Sequence, residues 1–254
     1  ESQENIGALG VHLMDGTGSF LPESKRNFPT PKASLLKLLG KDSEYYASHV
    51  AEKSSGPVEV LVGAFMLMKR SIYEEVAGFD EDYFMYGEDI DLSYKISEAG
   101  YENHYFGDTT VLHYKGESTK RDDAYYDRFY GAMQIFYKKH VGQSWLEAKS
   151  VAFGVALAKW ANRNLKSSKP PERETPSRYV VFSKNEDLAK KLSAHYNVDF
   201  EMLPDARTMA VHMARSFIVL DANHLSYREI FALMQQLGTH KNQFRIFPPS
   251  GHYI

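Results

Sequence analysis

The chain has 254 residues, of which 43% are hydrophobic and 25% charged, with a formal net charge of −3 and no cysteine. That length gives room for two globular domains. The near-neutral balance argues against a broad polyanion-binding surface, so nucleic acid is not an expected partner; the missing cysteines exclude disulfides and thiolate metal sites, and no uninterrupted apolar run reaches the ~20 residues of a membrane-spanning helix.

In chain order, residues Ile6 to Met14 read as a strand in which Gly7 and Gly10 either allow close backbone approach or mark a bulge. Asp15-Gly16-Thr17-Gly18 is a turn signal. A polar run from Pro22 to Arg26 follows. Ala33 to Leu39 has helical spacing and ends at Gly40, and residues 41–57 are polar. Leu61 to Met68 reads as a buried strand opened by Gly63, and Ser71 to Val76 as a short helix stopped by Gly78. An aromatic loop, Tyr83-Phe84-Met85-Tyr86, leads into Gly87-Glu88-Asp89-Ile90-Asp91. Leu92, Ile96 and Ala99 then recur at helical spacing, with Gly100 as the residue just past the helix end. Thr110 to Tyr114 reads as a strand with His113 near its end.

Asp122 to His140 is an amphipathic helix whose last turn holds Lys138, Lys139 and His140, where cations suit the helix dipole. A second helix, Trp145 to Asn164, is flanked by basic residues. Such a helix can lie on an anionic membrane surface or pack against a neighbour, and packing is favoured. The stretch 166–177 is a linker broken by Pro170, Pro171 and Pro176. Beyond it strands at 179–182, 198–203, 217–221 and 244–247 alternate with helices at 187–196, 206–215 and 227–237, which argues a small, mostly parallel α/β domain over 178–254. No Gly-x-Gly-x-x-Gly follows its first strand, so dinucleotide binding is unsupported. Asp221 falls where ligands bind in such sheets, but helix capping by Asp221 or Asn223 is favoured.

The residues that carry chemistry cluster at the start of the helix after Gly87. Glu88, Asp89 and Asp91 suit a helix N-terminus on electrostatic grounds alone. Asp89 lies three residues before Leu92, toward the buried edge of the helix. A carboxylate partly dried there can take a proton from an alcohol. Tyr83, Phe84 and Tyr86 offer faces on which sugar rings stack; the opposing reading is that Phe84 and Met85 plug the core beneath the helix.

Gly63-Ala64-Phe65, the turn Gly78-Phe79-Asp80-Glu81, the motif from Phe84 to Asp91 and the late His113 together resemble the acceptor half of family 2 inverting glycosyltransferases with a glycosyltransferase-A fold. The resemblance is especially to the rhamnosyltransferase-like members that build bacterial surface polysaccharides. The resemblance covers roughly residues 6–141. Beyond that region the chain's own patterning gives a helix over 142–165, the linker, and a small Rossmann-like α/β domain over 178–254; the resemblance itself implies an acceptor-binding half over 1–141. It implies Asp89 as catalytic base. Glu88 and Asp91 would hold acceptor hydroxyls or position the helix, Gly63, Ala64, Phe84 and Tyr86 would line the acceptor site, Arg26 and Lys115 would contact donor phosphates, and His113 would be a ligand of a divalent metal, Mg or Mn. For Arg26 and Lys115 the alternative is an exposed loop charge. One imidazole cannot hold such an ion, which prefers oxygen ligands.

The implied donor is a nucleotide-sugar, with dTDP-rhamnose as the candidate, and the acceptor is a glycan or lipid-linked glycan. The implied location is cytoplasmic, with peripheral contact at the inner face of the cytoplasmic membrane. The nucleotide-binding half of such enzymes, ending in Asp-x-Asp, is not found in the sequence, so the expectation is a fragment that is inactive alone. Two other readings stand beside this one. The chain could be a non-catalytic glycan-binding or assembly module, or a metal hydrolase using the acidic cluster and His113.

Overall fold

The structure is a computed structural model that describes residues 5–30, 33, 43–114, 123–141, 175–204 and 213–249. The chain separates into two compact units. The first comprises the described residues of Glu1–Leu13, Leu21–Val111 and Gly116–Ser168; the second those of Met14–Phe20, Leu112–Lys115 and Lys169–Ile254. Both are mixed α/β. The expected helices at 33–39 (apart from Ala33) and 145–164, most of the linker, and 206–212 lie outside the described residues.

The first unit is built on a four-stranded sheet of β1 (Ile6–Met14), β2 (Ser55–Val58), β3 (Leu67–Met68) and β4 (Glu102–Leu112), in the order β2-β4-β1-β3. β2 pairs antiparallel with β4, Ser55 opposite Phe106, and β3 antiparallel with β1, Met68 opposite Ala8. Around the sheet stand α1 (Arg70–Glu75), α2 (Glu88–Glu98) and α3 (Asp123–Phe136), which runs on as a π-turn, Tyr137–Val141. The two glycines of β1 are there for close approach. A Cβ on Gly7 would come 2.4 Å from Ile96 Cγ2 and 2.6 Å from Tyr101 Cβ, and one on Gly10 would come 2.5 Å from Leu61 Cδ2. The helix α2 and the Leu61 segment therefore lie directly on the strand.

Two sequence expectations change here. The strand expected over 61–68 shrinks to Leu67–Met68. Val60 instead exchanges backbone hydrogen bonds with Arg26, both at 2.9 Å, and the chain then turns, with Phe65 N–H donating to Val62 O. The Gly63 N–H points not into a ladder but at a carboxylate. The strand expected over 110–114 begins much earlier, at Glu102. Its inward positions are Asn103, Tyr105 and Gly107, and a buried Asn conceals the apolar alternation by which strands are read. Asn103 is buried because its Nδ2 donates to the carbonyls of Glu59 and Ser93, each at 2.9 Å.

The second unit has an all-parallel sheet of β5 (Arg178–Phe182), β6 (Glu201–Leu203), β7 (Ser216–Asp221) and β8 (Gln243–Phe247), in the order β6-β5-β7-β8. Every residue of β7 is buried, as a central parallel strand covered on both faces requires. Alternate residues divide between two apolar layers. Val180, Phe182, Ile218 and Leu220 pack with Ile230, Leu233 and Met234 of α5 (Tyr227–Leu237), and Met14 joins them. Val181, Phe217 and Val219 pack with Leu188 and Leu192 of α4 (Glu186–Tyr196). The helix caps are Asn185, which accepts from Asp187 and Leu188 N–H, and Ser226, which forms a capping box with Glu229. The cap thus falls on neither Asp221 nor Asn223. Buried Asp221 instead accepts the Ser183 hydroxyl at 2.6 Å and the Asn223 N–H at 2.9 Å, which ties β5 to β7 at their carboxyl ends.

Candidate active site

The site in the first unit starts at a backbone position that suits glycine. Gly87, the N-cap of α2, has φ +85°, next to Tyr86 at φ +70°. This left-handed corner turns the aromatic loop into a helix whose first turn carries Glu88, Asp89 and Asp91. The three carboxylates meet different fates.

Asp89 is 8% exposed. Its Oδ2 accepts Arg26 Nη2 at 2.6 Å and Gly63 N–H at 3.1 Å. Among the described residues no hydrogen bond reaches Oδ1. One oxygen is therefore held by a cation and a backbone amide while the other is available, which is the geometry a positioned base requires.

Arg26 is buried, and its Nη2 also donates to Leu61 O at 2.9 Å. Burial works against its charge, but Asp89 and the Tyr45 hydroxyl more than offset this, so the guanidinium is held above its ordinary range and stays a cation. Arg26 is thus no exposed loop charge. A donor phosphate would have to compete with Asp89 for it.

Glu88 is half-buried, and among the described residues nothing hydrogen-bonds its buried Oε2. Burial pushes its carboxyl above the usual carboxylate range. The Asp89 charge adds to this, while its own backbone N–H and Arg26 oppose it.

Asp91 is fully buried. Its Oδ1 lies 2.6 Å from His140 Nε2 and accepts the Tyr83 hydroxyl at 3.4 Å. Lys95 Nζ lies 3.0 Å from Oδ2 as an ion pair, off the line of a hydrogen bond. Burial first, then the Asp91 charge, pushes the Tyr83 phenol well up. With no exposed surface, Asp91 offers an acceptor sugar nothing to touch; its bonds are internal.

The aromatic loop divides likewise. Tyr83 is core, with Tyr86 packed against the same cluster of Val60, Ile90, Ala132 and Phe136. Phe84 is 81% exposed, with the Arg128 guanidinium 5.3 Å from its ring centre, so it does not plug the core. Gly63 and Ala64 are exposed on the turn beside Asp89.

His113 belongs to the second unit, where its backbone N–H donates to Met14 O at 2.8 Å. Lys115 lies outside the described residues. Among the described residues no group of three or more His, Asp or Glu side chains is placed to hold a metal ion. One imidazole without oxygen donors does not fit Mg or Mn. Sequence reasoning missed Tyr45 and His140 as partners of the site. For His140 the only local signal was a cation at a helix end.

No family model matches the chain. It is 36% identical over 124 residues to the N-acetylglucosaminyl-diphospho-decaprenol L-rhamnosyltransferase of Mycobacterium tuberculosis, in two strains, a match covering 46% of this chain and 40% of that one. It is 46% identical over 57 residues to the rhamnosyltransferase WbbL of Escherichia coli, covering 22% of each. The chain thus spans well under half the length of the curated relatives it matches. The resemblance read from the motifs is borne out, since these relatives are rhamnosyltransferases.

Proposed function

We propose that this relative of bacterial rhamnosyltransferases forms the acceptor side of a glycosyltransferase-A enzyme that moves a sugar, with inversion, from a nucleotide-sugar to a hydroxyl of a glycan or lipid-linked glycan. The donor candidate is dTDP-rhamnose. The observation that carries the proposal is Asp89, anchored through Oδ2 and, among the described residues, without a hydrogen bond at Oδ1. The acceptor hydroxyl gives its proton to Oδ1. Its oxygen forms the new bond to the anomeric carbon as the bond from that carbon to the nucleotide diphosphate breaks on the opposite face, and the diphosphate leaves with the electron pair. Arg26 and Gly63 keep the carboxylate from swinging away from the attacking oxygen. A divalent Mg or Mn, which the resemblance implies, is not fitted by the described residues.

A lipid-linked acceptor is supported by the name of the mycobacterial relative, and would place the reaction at the inner face of the cytoplasmic membrane. Among the described residues no helix is long and apolar enough to cross a membrane.

The test is Asp89→Asn in the complete transferase. Turnover falls by about 10²- to 10⁴-fold, the usual contribution of a general base, while donor affinity is unchanged. Undiminished turnover refutes the assignment. Glycan binding with no transfer and no nucleotide dependence would identify a binding module instead.

A further inference from the structure

The π-turn at the end of α3 touches both segments that build the Asp89–Arg26 pair. On one side His140 Nε2 meets Asp91 Oδ1 at 2.6 Å, two residues beyond Asp89 in the same helical turn. On the other, the Tyr137 hydroxyl donates to Pro29 O, three residues beyond Arg26. The His140 ring is held between Tyr94, with ring centres 4.4 Å apart, and Phe136, at 5.1 Å. Tyr94 in turn meets Phe28 edge-on at 5.3 Å.

A buried carboxylate is costly unless it is paired. Asp91 is paired from three sides: His140, Tyr83 on the aromatic loop, and Lys95 one turn further along α2. Lys95 also donates to Gly78 O at 2.6 Å. The first turn of α2 therefore cannot rotate or slide without unpairing a buried charge. The wider π-turn, five residues from Tyr137 to Val141, presents Tyr137 and His140 to different segments, and single π-turns in α-helices occur frequently at functional sites.

We infer that Tyr137–Val141 sets the geometry of the catalytic pair, with His140 a positioning residue for Asp89 through Asp91 and Tyr137 one for Arg26 through Pro29. Neither touches substrate. The kinetic consequence rests on Asp89 being the base; the geometric one does not.

The test uses the complete transferase labelled with ¹⁵N-glycine. The Gly63 amide donates to Asp89 Oδ2, so its resonance reports where that carboxylate sits. His140→Ala moves the Gly63 resonance and lowers kcat by about 10- to 100-fold, the scale of a misplacement near 1 Å, with donor KM unchanged. His140→Gln, whose Nε2 can donate to Asp91, restores both. Tyr137→Phe keeps the ring, loses the bond to Pro29, and moves the same resonance through Arg26. Should His140→Ala fail to fold, the Gln and Phe variants carry the test alone. A Gly63 resonance that stays put in folded His140→Ala or in Tyr137→Phe overturns the inference, as does a His140→Gln protein that behaves like neither wild type nor an intermediate. If Gly63 moves while Asp89→Asn retains turnover, the transferase reading falls and the positioning role stands. If Gly63 is unmoved and Asp89→Asn is inactive, the reverse holds.

Discussion

The ion pair between Arg26 and Asp89 sets up a double-substitution cycle whose outcome can be worked out beforehand. With Nη2 and Oδ2 2.6 Å apart and both side chains about nine-tenths buried, the charge centres lie roughly 4 Å apart. At an effective dielectric of ~20 their attraction is about 4 kcal/mol. Arg26→Met removes that attraction and leaves Asp89 as a buried anion with Gly63 N–H for company, a loss expected to be about 3–5 kcal/mol. Asp89→Asn leaves the buried guanidinium with Leu61 O and Tyr45 and costs about 3 kcal/mol, because the amide oxygen still accepts. The double variant buries no orphan charge. It should be about as stable as either single variant, giving a coupling of ~3 kcal/mol. Urea unfolding of all four proteins, extrapolated to water with m-values held in common, measures it. The coupling should survive 1 M salt, since buried pairs are poorly screened. Additive losses, or a coupling below about 0.5 kcal/mol, would show that the pair neither stabilises the site nor holds Asp89.

Glu88 works against stability at neutral pH. Its folded carboxyl is raised above the reference value of 4.5, so its contribution is fully present below that value and is lost as pH rises through the folded one. Glu88→Gln should therefore raise the melting temperature at pH 7 and barely change it at pH 4, and a Gln variant less stable at pH 7 would contradict this. Gly87→Ala should destabilise the first unit by about 1–2 kcal/mol, because φ is +85° and the new Cβ would come 3.0 Å from Ala132 Cβ and 3.1 Å from the Tyr83 ring; chemical denaturation reads this directly. Ser226→Ala breaks the capping box of α5 and should cost the second unit about 1 kcal/mol, seen as earlier loss of amide protection in β7 and α5.

Much of the architecture could be read from the chain because its signals were local. The helix α2 begins at Glu88 and ends before Gly100, a residue with φ +87°, as its spacing implied. The parallel strands β5, β7 and β8 are short apolar runs between helical patterns, a pattern that survives without tertiary information. What failed was non-local. Asn103 hides β4 because its partners, Glu59 O and Ser93 O, come from other segments. The residues around Gly63 looked like strand because they are apolar, yet their backbone is diverted by a carboxylate 26 residues away. In the candidate site, the burial of Asp89 was legible from its place on the helix. The burial of Arg26 was not, since nothing in Pro-Glu-Ser-Lys-Arg distinguishes a solvated cation from one drawn inward by a partner 63 residues on. His140 has the same history with Asp91, 49 residues earlier.

Those separations also govern how the first unit forms. The bonds that define its site join residues 63, 49 and 108 apart in sequence, so no short stretch can assemble it ahead of the rest. Chains dominated by such distant pairings fold in milliseconds to seconds rather than microseconds. During synthesis the delay is longer. A ribosome adding ~5–20 residues per second needs on the order of ten seconds to travel from Arg26 to His140. For about the first half of that interval the Arg26 segment is without the helix that neutralises it, and until its end Val60, Tyr83 and Ile90 are without the cover of Phe136. The site of the first unit thus depends on protection from aggregation until His140 has been made, whereas β5 and β7 of the second, paired 38 residues apart at Arg178 and Ser216, can close sooner after they appear.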